Sequence, residues 1–559
     1  MKYYGYLFEA RSIQDFLFAN GKLKDMVAGS EMVDILLSGP LDQALSAAGL
    51  DSKNFEKNCP RRAGAAFYLL AEETHSEELK RFRILWRLMV NHMLPGIEQV
   101  DVVSCGAAAQ DALRNGFESL RAARNQRDPE LPPASPAAQR DPRTGLVATT
   151  RDTGENIDIA TAMKRSFKLP SNVESVAARF TGGALPPDGG AWKWPNSFAD
   201  DAQSDFRFPM QGRSHVALVH ADGNGMGQLL MHLNEALEGL DISTYVRLFR
   251  GFSDGLAKAT RAAAAKAAKV ILDACNDLNV LPARPLVLGG DDITLIIRDD
   301  LAFEFAEIFL GAFETETEKM LVEMRDQVAK EGLSGLQDRL PEHLSACAGI
   351  VFMKPSQPFA SCHDIAEGLC DRAKKIGRLS LTQTGESART NVIPSGISFH
   401  KLKAALIEDE EELFKAELIA GREDDRETIH LGLPGYAVRV EAPSIPSITH
   451  LRALAEPFED GTLNPKRLRR LLTLLHQAPA LASQEYRRWR EVSKPDGLIR
   501  FDTSLAQILG PTIDKELPTT PAGSGEASSE RKPRRTPLAD LLIYLETRPT
   551  EKGGSDHVD

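Results

Sequence analysis

Residues 285–297 read PLVLGGDDITLII. Two short apolar runs flank the tetrad Gly289-Gly290-Asp291-Asp292. Glycine relieves the steric cost of a tight reversal, so the pattern predicts a β-hairpin with both aspartates at its tip. Two carboxylates between buried strands repel each other unless a cation joins them, and a divalent metal is the expected partner. The alternative for this motif alone is an ordinary hairpin with an exposed acidic turn.

A second glycine-rich motif lies upstream, where residues 221–227 read ADGNGMG. It follows an apolar run and precedes a helical pattern. Asp222 therefore stands at a strand end, where a β-α-β-β unit would place it beside the hairpin tip. Gly223, Gly225 and Gly227 leave backbone N–H groups open at a helix N-terminus, which is a typical phosphate site. A plain glycine-rich turn is common, and it is the conjunction of the two motifs that favours a metal-nucleotide site.

A basic helix end supplies the third feature, because residues 373–378 read AKKIGR. Lys374 and Arg378 lie four residues apart and share one helix face. Beside the aspartates, we expect both cations to meet the phosphates of a bound nucleotide. The pattern alone is equally typical of a solvated helix end favoured by the helix dipole.

Together these residues predict a site for nucleotidyl transfer, which depends on positioning and charge neutralisation. We expect two Mg²⁺ (or Mn²⁺) ions and three catalytic aspartates, Asp222, Asp291 and Asp292. Asp222 and Asp291 would share the metals, and the Gly223 carbonyl would add a ligand. Asp292 has two open roles, as a metal ligand or as the group that deprotonates a 3′-hydroxyl. The expected nucleotide-binding residues are Asn224, Gly225, Met226, Gly227, Gly289, Gly290, Lys374 and Arg378.

The order of the predicted elements indicates an α+β protein with two similar units. The second unit, 213–395, runs β-α-β-β-α-β, which is the ferredoxin-like arrangement. Its strands are predicted at 216–220, 285–288, 293–297 and 344–352. The first unit, 1–124, has strand patterns and a long helix that begins at Ser12 with capping-box character.

Three further segments complete the chain. Residues 125–212 are rich in Pro and Gly and are expected to be a linker or a small, poorly packed insertion with one helix at 157–167. Residues 396–515 are interpreted as a helical C-terminal domain. Residues 516–559 are rich in Pro, Gly, Ser and charge, which predicts a disordered tail containing one short amphipathic helix at 537–545.

Composition excludes several classes of protein. The net charge of −12 over 559 residues argues against a general polyanion binder. The sequence contains no apolar run of ~18 residues, and its N-terminus has a strand pattern rather than a signal peptide, so the expected location is the cytoplasm. The six cysteines lack zinc-ligand spacing and are expected to be buried free thiols, without zinc.

These motifs resemble the palm domain shared by GGDEF diguanylate cyclases and the large polymerase subunit of type III CRISPR effectors. The tetrad at 289–292 has the CRISPR form, and the Ala-Lys-x-x-Gly-Arg run at 373–378 is similar in both groups. Residues 13–18, IQDFLF, together with the runs 22–25 and 29–30, resemble the first palm of the CRISPR subunit, especially its Cmr-type branch. The resemblance covers about residues 1–125 and 210–515.

The resemblance implies two nucleotide-cyclase-like palms that hold two ATP molecules. The second palm would make cyclic or linear oligoadenylates; the first, with no acidic pair near Gly64, would be non-catalytic, with Ser30 near an adenine. It also implies CRISPR effector subunits and guide or target RNA as partners. No HD nuclease domain is expected, because no His-Asp pair precedes the first palm. Asn224 stands where the family often has a second acidic residue.

Three functions stay open at this point. The leading one is a nucleotidyltransferase that converts ATP to cyclic oligoadenylates, within a CRISPR complex or as a stand-alone defence cyclase. The second is a non-catalytic or partner-gated scaffold that contacts RNA through the arginine-rich runs 467–470 and 487–490, which are equally typical of solvated helix faces. The third, a diguanylate cyclase that uses GTP, is disfavoured by the two-palm layout.

Overall fold

Two sheets with the same core strand order form the frame of the molecule. The computed structural model describes residues 2–51, 57–125, 135–198, 206–337, 339–381, 392–403, 410–420, 428–439, 445–510, 516–520 and 534–548. Within these residues, no helix combines the length and the apolar character needed to cross a membrane.

The first unit has a four-stranded antiparallel sheet in the order β2-β3-β1-β4. Its strands are β1 (Tyr3–Arg11), β2 (Arg61–Ala63), β3 (Ala66–Glu72) and β4 (Glu98–Gly106). Its helices are α1 (Ile13–Phe18), α2 (Leu23–Ile35), α3 (Gly39–Ala48), α4 (Ser76–Met93) and α5 (Ala109–Ala123). Strand β1 is apolar on both faces because α4 covers one side of the sheet, where Phe8 contacts Trp86, and α5 covers the other.

The predicted long, capped helix from Ser12 is wrong. Ser12 has a φ of 48°, its side chain makes no capping hydrogen bond, and α1 ends at Phe18. Gly21, with a φ of 73°, separates α1 from α2. A residue in the left-handed region interrupts an α-helix, so two short helices replace the single long one.

The segment between the units is packed rather than loose. Its elements are β5 (Thr150–Asp152), β6 (Glu155–Ile157), α6 (Ile159–Ser166) and α7 (Val176–Phe180). Lys164 and Phe180 are 2% and 0% exposed, and Arg165 lies 3.2 Å from Asp25 of α2 in an ion pair. The helix predicted at 157–167 is therefore confirmed, and the expectation of poor packing is wrong for α6 and α7.

The second unit repeats the strand order of the first. Its strands are β7 (Val216–Gly223), β8 (Ala283–Gly289), β9 (Asp292–Arg298) and β10 (Ala346–Met353). Its helices are α8 (Met226–Ala236), α9 (Ile242–Asp273), α10 (Ala302–Lys330), the single turn α11 (Ser334–Gln337) and α12 (Phe359–Leu381). The order β10-β7-β9-β8 corresponds to β4-β1-β3-β2, with α12 on one face and α9 and α10 on the other. The predicted β-α-β-β-α-β succession agrees with this arrangement.

The second sheet continues past residue 395, where the sequence predicts the start of a helical domain. Strand β11 (Gly396–Lys401) pairs parallel with β10, so the full order is β14-β11-β10-β7-β9-β8. The short elements that follow are α13 (Glu410–Leu413), β12 (Ile419–Ala420), β13 (Ile429–His430) and β14 (Tyr436–Ala437). The predicted helical region then follows as α14 (Ile448–Glu459), α15 (Pro465–Gln477), α16 (Pro479–Val492) and α17 (Pro495–Leu509).

Part of the predicted disordered tail is folded. Strand β15 (Arg534–Arg535) pairs with β13, and α18 (Leu538–Thr547) packs on β11, α14 and α15. Leu538 and Leu541 are fully buried, which gives the amphipathic pattern at 537–545 its apolar partner. The expectation of disorder is therefore wrong for 516–520 and 534–548, and 521–533 and 549–559 lie outside the described residues.

Candidate functional site

Three aspartates meet where strands of the second unit end. Strands β8 and β9 are joined by a two-residue turn, because Gly289 pairs with Asp292. On β7 and β9, Ala221 pairs with Ile293, so Asp222 and Asp292 are the next positions along the same two neighbouring strands. Because side chains alternate between the faces of a sheet, both belong to the face that α12 covers.

The carboxylates in this cluster destabilise one another. A Cβ built on Gly223 would lie 2.5 Å from Asp291 Oδ2, so only glycine leaves room for that carboxylate. Burial, followed by the charge of Asp222, raises the pKa of Asp291 to about 6. Burial and the charges of Asp222 and Asp291 raise the pKa of Asp292 well above its usual range. Repulsion of this kind is relieved when a cation binds.

One cation of the chain already contacts this cluster. Lys374 on α12 forms a short ion pair with Asp222, and its side chain is only 10% exposed. Arg378, one helical turn further along α12, is exposed. The structure therefore brings Lys374 to the aspartates, whereas Arg378 lies at the surface beyond them.

The donor set fits divalent cations such as Mg²⁺. Asp292 Oδ1 is buried and has no hydrogen-bond partner within the described part of the chain. Mg²⁺ prefers oxygen ligands and combines one or two carboxylates with substrate phosphates. Across the same described ranges, no three His, Cys, Asp or Glu side chains converge to hold a metal ion by themselves. A site completed by nucleotide phosphates agrees with both observations.

The turn between β7 and α8 presents backbone donors beside the carboxylates. Helix α8 begins at Met226, after Gly225 in the left-handed region with a φ of 70°. The Asn224 amide donates to Ser345 Oγ at 2.9 Å, and its backbone N–H donates to Ser345 O at 2.8 Å. Asn224 thus anchors the turn to the start of β10. The first N–H groups of α8 have no intrahelical acceptor, as at any helix start, and suit an anion.

The backbone is sterically open at three other predicted glycines. Among the described residues, no heavy atom lies within 4 Å of a Cβ built on Gly227, Gly289 or Gly290. A ligand could therefore approach these peptide groups closely, as the sequence prediction requires.

Two histidines behind the carboxylates were missed by the sequence reasoning. His220 lies opposite Thr294 in register, and its Nδ1 is 3.1 Å from Thr294 Oγ1 and 3.7 Å from Asp292 Oδ1. Burial lowers the pKa of His220 to about 4, so its imidazole is neutral. The ring of His363 on α12 lies 5.1 Å from it. His220 and Thr294 each stand two residues from a candidate aspartate, and this strand period was the available signal.

Two residues of the first unit, Ser30 and Arg61, act on the hairpin of the second unit. The Ser30 hydroxyl on α2 donates to the backbone carbonyl of Leu286 on β8 and is buried, so it joins the two units. Its proximity to an adenine stays a prediction. Arg61 on β2 acts on Asp291 as a positive charge that opposes the rise of its pKa.

The arginine-rich runs of the C-terminal region are engaged in ion pairs. Arg467 and Arg470 contact Glu485 at 2.9 and 3.4 Å, and Arg490 contacts Asp502 at 2.6 Å. These contacts connect neighbouring helices, so helix packing accounts for them without an RNA partner. Four of the six cysteines are buried as expected, but Cys105 is exposed and Cys275 is partly exposed.

Comparisons with known proteins identify solved structures that are similar in fold. No protein-family model matches the chain, and no curated protein matches it. Among solved structures, a Csm1–Csm4 cassette in complex with pppApA matches with a TM-score of 0.50 and 13% identity, over 98% of this chain and 70% of that chain. A cassette in complex with cA3 gives a TM-score of 0.49 and 14% identity over 98% and 70%. A Csm1–Csm4 subcomplex of the type III-A CRISPR-Csm interference complex gives 0.41 and 13% over 67% and 54%. The chain therefore shares its fold with a chain of the pppApA-bound cassette over nearly its whole length.

Proposed function

We propose that the chain is a nucleotidyltransferase that joins ATP into cyclic oligoadenylates, in a type III CRISPR-like antiviral defence system. The observation that carries this proposal is the cluster of Asp222, Asp291 and Asp292 with the Lys374 ammonium beside it. The shared fold with a cassette that binds pppApA supports an oligoadenylate product. The Cmr-type branch suggested by the sequence stays a prediction, since the similar structures described above are Csm1–Csm4 complexes.

The chain's residues divide the chemistry among them. When bound, two Mg²⁺ or Mn²⁺ ions supply Lewis-acid stabilisation of the attacking and leaving oxygens. Asp222, Asp291 and Asp292 would hold them, which relieves the carboxylate repulsion described above. The first N–H groups of α8 and the ammonium of Lys374 bind and orient the triphosphate, so that the 3′-hydroxyl of a second nucleotide faces the α-phosphorus. Neutral His220 stays beside Asp292 without competing for the metal positions.

A partner-gated form of the same enzyme is the second candidate. Lys374 pairs with Asp222 in the chain by itself, so its ammonium occupies one side of a carboxylate that a metal ion needs. A partner that draws Lys374 toward the phosphates would free Asp222. This reading keeps the CRISPR effector subunits and target RNA as activators.

Product analysis tests both candidates. The purified chain is incubated with ATP or with GTP and Mg²⁺, beside an Asp291→Asn and Asp292→Asn double variant, and products are identified by mass spectrometry. Asp254→Asn serves as the control, because this carboxylate of α9 is 64% exposed. Oligoadenylates from wild type and control but not from the double variant support the proposal. Activity that appears only after addition of effector subunits and target RNA supports gating. Oligoguanylates as the product, or equal activity of all three proteins, would overturn the proposed function.

A further inference from the structure

Helix α9 packs against strand β8, and a buried hydroxyl of α9 contacts the turn of the candidate catalytic hairpin. Thr260 lies in the middle of α9 and is 1% exposed. Its Oγ1 donates to the backbone carbonyl of Gly290 at 2.6 Å and lies 3.0 Å from the carbonyl of Leu256 in its own helix. A hydroxyl has one hydrogen, and the shorter distance favours the hairpin as its acceptor.

Strand pairing of Gly289 with Asp292 closes the hairpin, but Gly290 itself has no side chain to hold it in place. Gly290 has a φ of 51°, and no described heavy atom lies within 4 Å of a Cβ built there. Asp291 and Asp292 follow directly in the chain. The carbonyl of Gly290 is therefore a point where one hydrogen bond can decide where both carboxylates stand.

We propose that Thr260 is a positioning residue for nucleotidyl transfer: its hydroxyl holds the Gly290 carbonyl and so fixes the tip that carries Asp291 and Asp292. It contacts neither substrate nor metal. The inference rests on the proposed function, since positioning matters only if the tip performs chemistry. Reacting groups must be held within ~0.5 Å of their productive geometry, and a misplacement of 1 Å can cost about 100-fold in rate.

The position of α9 gives this contact a second consequence. The same helix lies against β2 of the first unit. Tyr245 near its start is buried and is close enough to Tyr68 of the first unit for that phenol to act on its pKa. Thr260 therefore connects the catalytic hairpin to a helix whose place depends on both units.

Two substitutions separate the hydroxyl from the shape of the side chain. Thr260→Val keeps the branched shape and removes the donor, and Thr260→Ser keeps the donor and removes a methyl group. We expect Thr260→Val to lower kcat about 10- to 100-fold with an unchanged KM for ATP, and Thr260→Ser to stay within about 3-fold of wild type. Thermal unfolding of both variants is measured alongside, because a purely structural role would move the melting temperature rather than kcat.

Hydrogen exchange of the hairpin supplies a readout that needs no activity. In the metal-free chain, we expect faster amide exchange over 283–298 in Thr260→Val than in Thr260→Ser, with β1 and β3 unchanged. Weaker Mn²⁺ binding by Thr260→Val, followed by electron paramagnetic resonance, would agree. Equal exchange and equal Mn²⁺ affinity in both variants would overturn the role of Thr260. An inactive wild type with a clear exchange difference would instead count against the proposed function alone. If Thr260→Val does not fold, Thr260→Ala replaces it, and exchange as slow as in Thr260→Ser would then refute the proposal.

Discussion

The hairpins of the two units share a two-residue turn and differ in chemistry. In the first unit Ala63 pairs with Ala66 around a turn of Gly64 and Ala65, and in the second Gly289 pairs with Asp292 around Gly290 and Asp291. Both turns place a glycine in the left-handed region, with φ values of 60° and 51°. The two sheets also have the same strand order. Each unit thus has a hairpin at the equivalent position of its sheet. The side chains at the tip determine whether that hairpin offers carboxylates to a metal ion.

Polar groups around the two hairpins are satisfied to different degrees. In the first unit, Arg61 donates to the Tyr68 hydroxyl at 3.1 Å, Tyr68 donates to Glu9 at 2.9 Å, and Arg124 also pairs with Glu9. In the second unit, Asp292 Oδ1 is buried without a hydrogen-bond partner among the described residues. A completed network stabilises a structure, whereas a buried unpaired carboxylate oxygen indicates a missing ligand.

The largest effect should come from Asp222, the candidate metal ligand on β7. We predict that Asp222→Asn lowers the rate of product formation about 1,000-fold or more, because metal-dependent phosphoryl transfer loses a charged ligand. The melting temperature of the metal-free chain is measured alongside, because the same change relieves carboxylate repulsion but also removes the ion-pair partner of Lys374. Glu77→Gln, a 74% exposed carboxylate of the first unit, is the control. A comparable loss in both variants would show that the two units do not differ as argued.

Substitution of Lys374 should have a smaller effect, which lowers kcat/KM for ATP but raises the affinity for Mn²⁺. We predict that Lys374→Met lowers kcat/KM for ATP about 10- to 100-fold, because the triphosphate loses a buried cation. Without ATP, Mn²⁺ should bind the variant more tightly, because no ammonium competes for Asp222. Arg378→Met, an exposed change on the same helix, should have the weaker effect of the two. Calorimetry with Mn²⁺ alone decides the point, and weaker binding by Lys374→Met would contradict the competition.

The sequence predicted local motifs better than long-range partners. The glycines at 289–290 and the apolar runs beside them specify a hairpin, and the strand end at Asp222 follows from the same periodicity. The pairing of β11 with β10, the burial of α18 and the contact of Thr260 with Gly290 join residues tens to hundreds of positions apart. No local pattern encodes such contacts. The helix at 538–547 was placed in a disordered tail because the residues around it are rich in Pro, Gly, Ser and charge, while its apolar face has a partner only in the folded chain.

The extension of the second sheet should give a pH-dependent contribution to stability. Asp540 of α18 is buried and accepts hydrogen bonds from the Leu433 N–H and the Tyr436 hydroxyl, both at 2.7 Å. Burial raises its pKa to about 7. The folded chain then keeps this proton up to about pH 7, whereas the unfolded chain releases it near pH 4. The free energy of unfolding therefore decreases as the pH rises from about 4 to 7, by at most ~1.4 kcal/mol per pH unit, and is constant above.

A comparison of wild type with Asp540→Asn separates the contribution of Asp540 to the pH dependence from that of the other titrating groups. Asp540→Asn resembles the protonated carboxyl, so its stability should lack this decrease and should exceed that of wild type at pH 8. Urea unfolding at pH 4.5, 6 and 8 measures both proteins. Parallel pH profiles would mean that Asp540 does not titrate in this window.

The smallest predicted effect tests the turn of the first hairpin, which has a second residue in the left-handed region. Ala65 occupies the left-handed region with a φ of 55°, a conformation that costs an L-residue about 1–2 kcal/mol. Glycine removes this strain but loses about 0.5–1 kcal/mol through its freer unfolded chain, so Ala65→Gly should stabilise the protein by up to ~1 kcal/mol. Ala63→Gly, two residues earlier in β2, should destabilise it, because no positive φ has to be relieved there. Thermal unfolding of both variants compares them directly. Destabilisation by both would imply that side-chain packing of Ala65, rather than relief of its positive φ, determines the stability of the first hairpin.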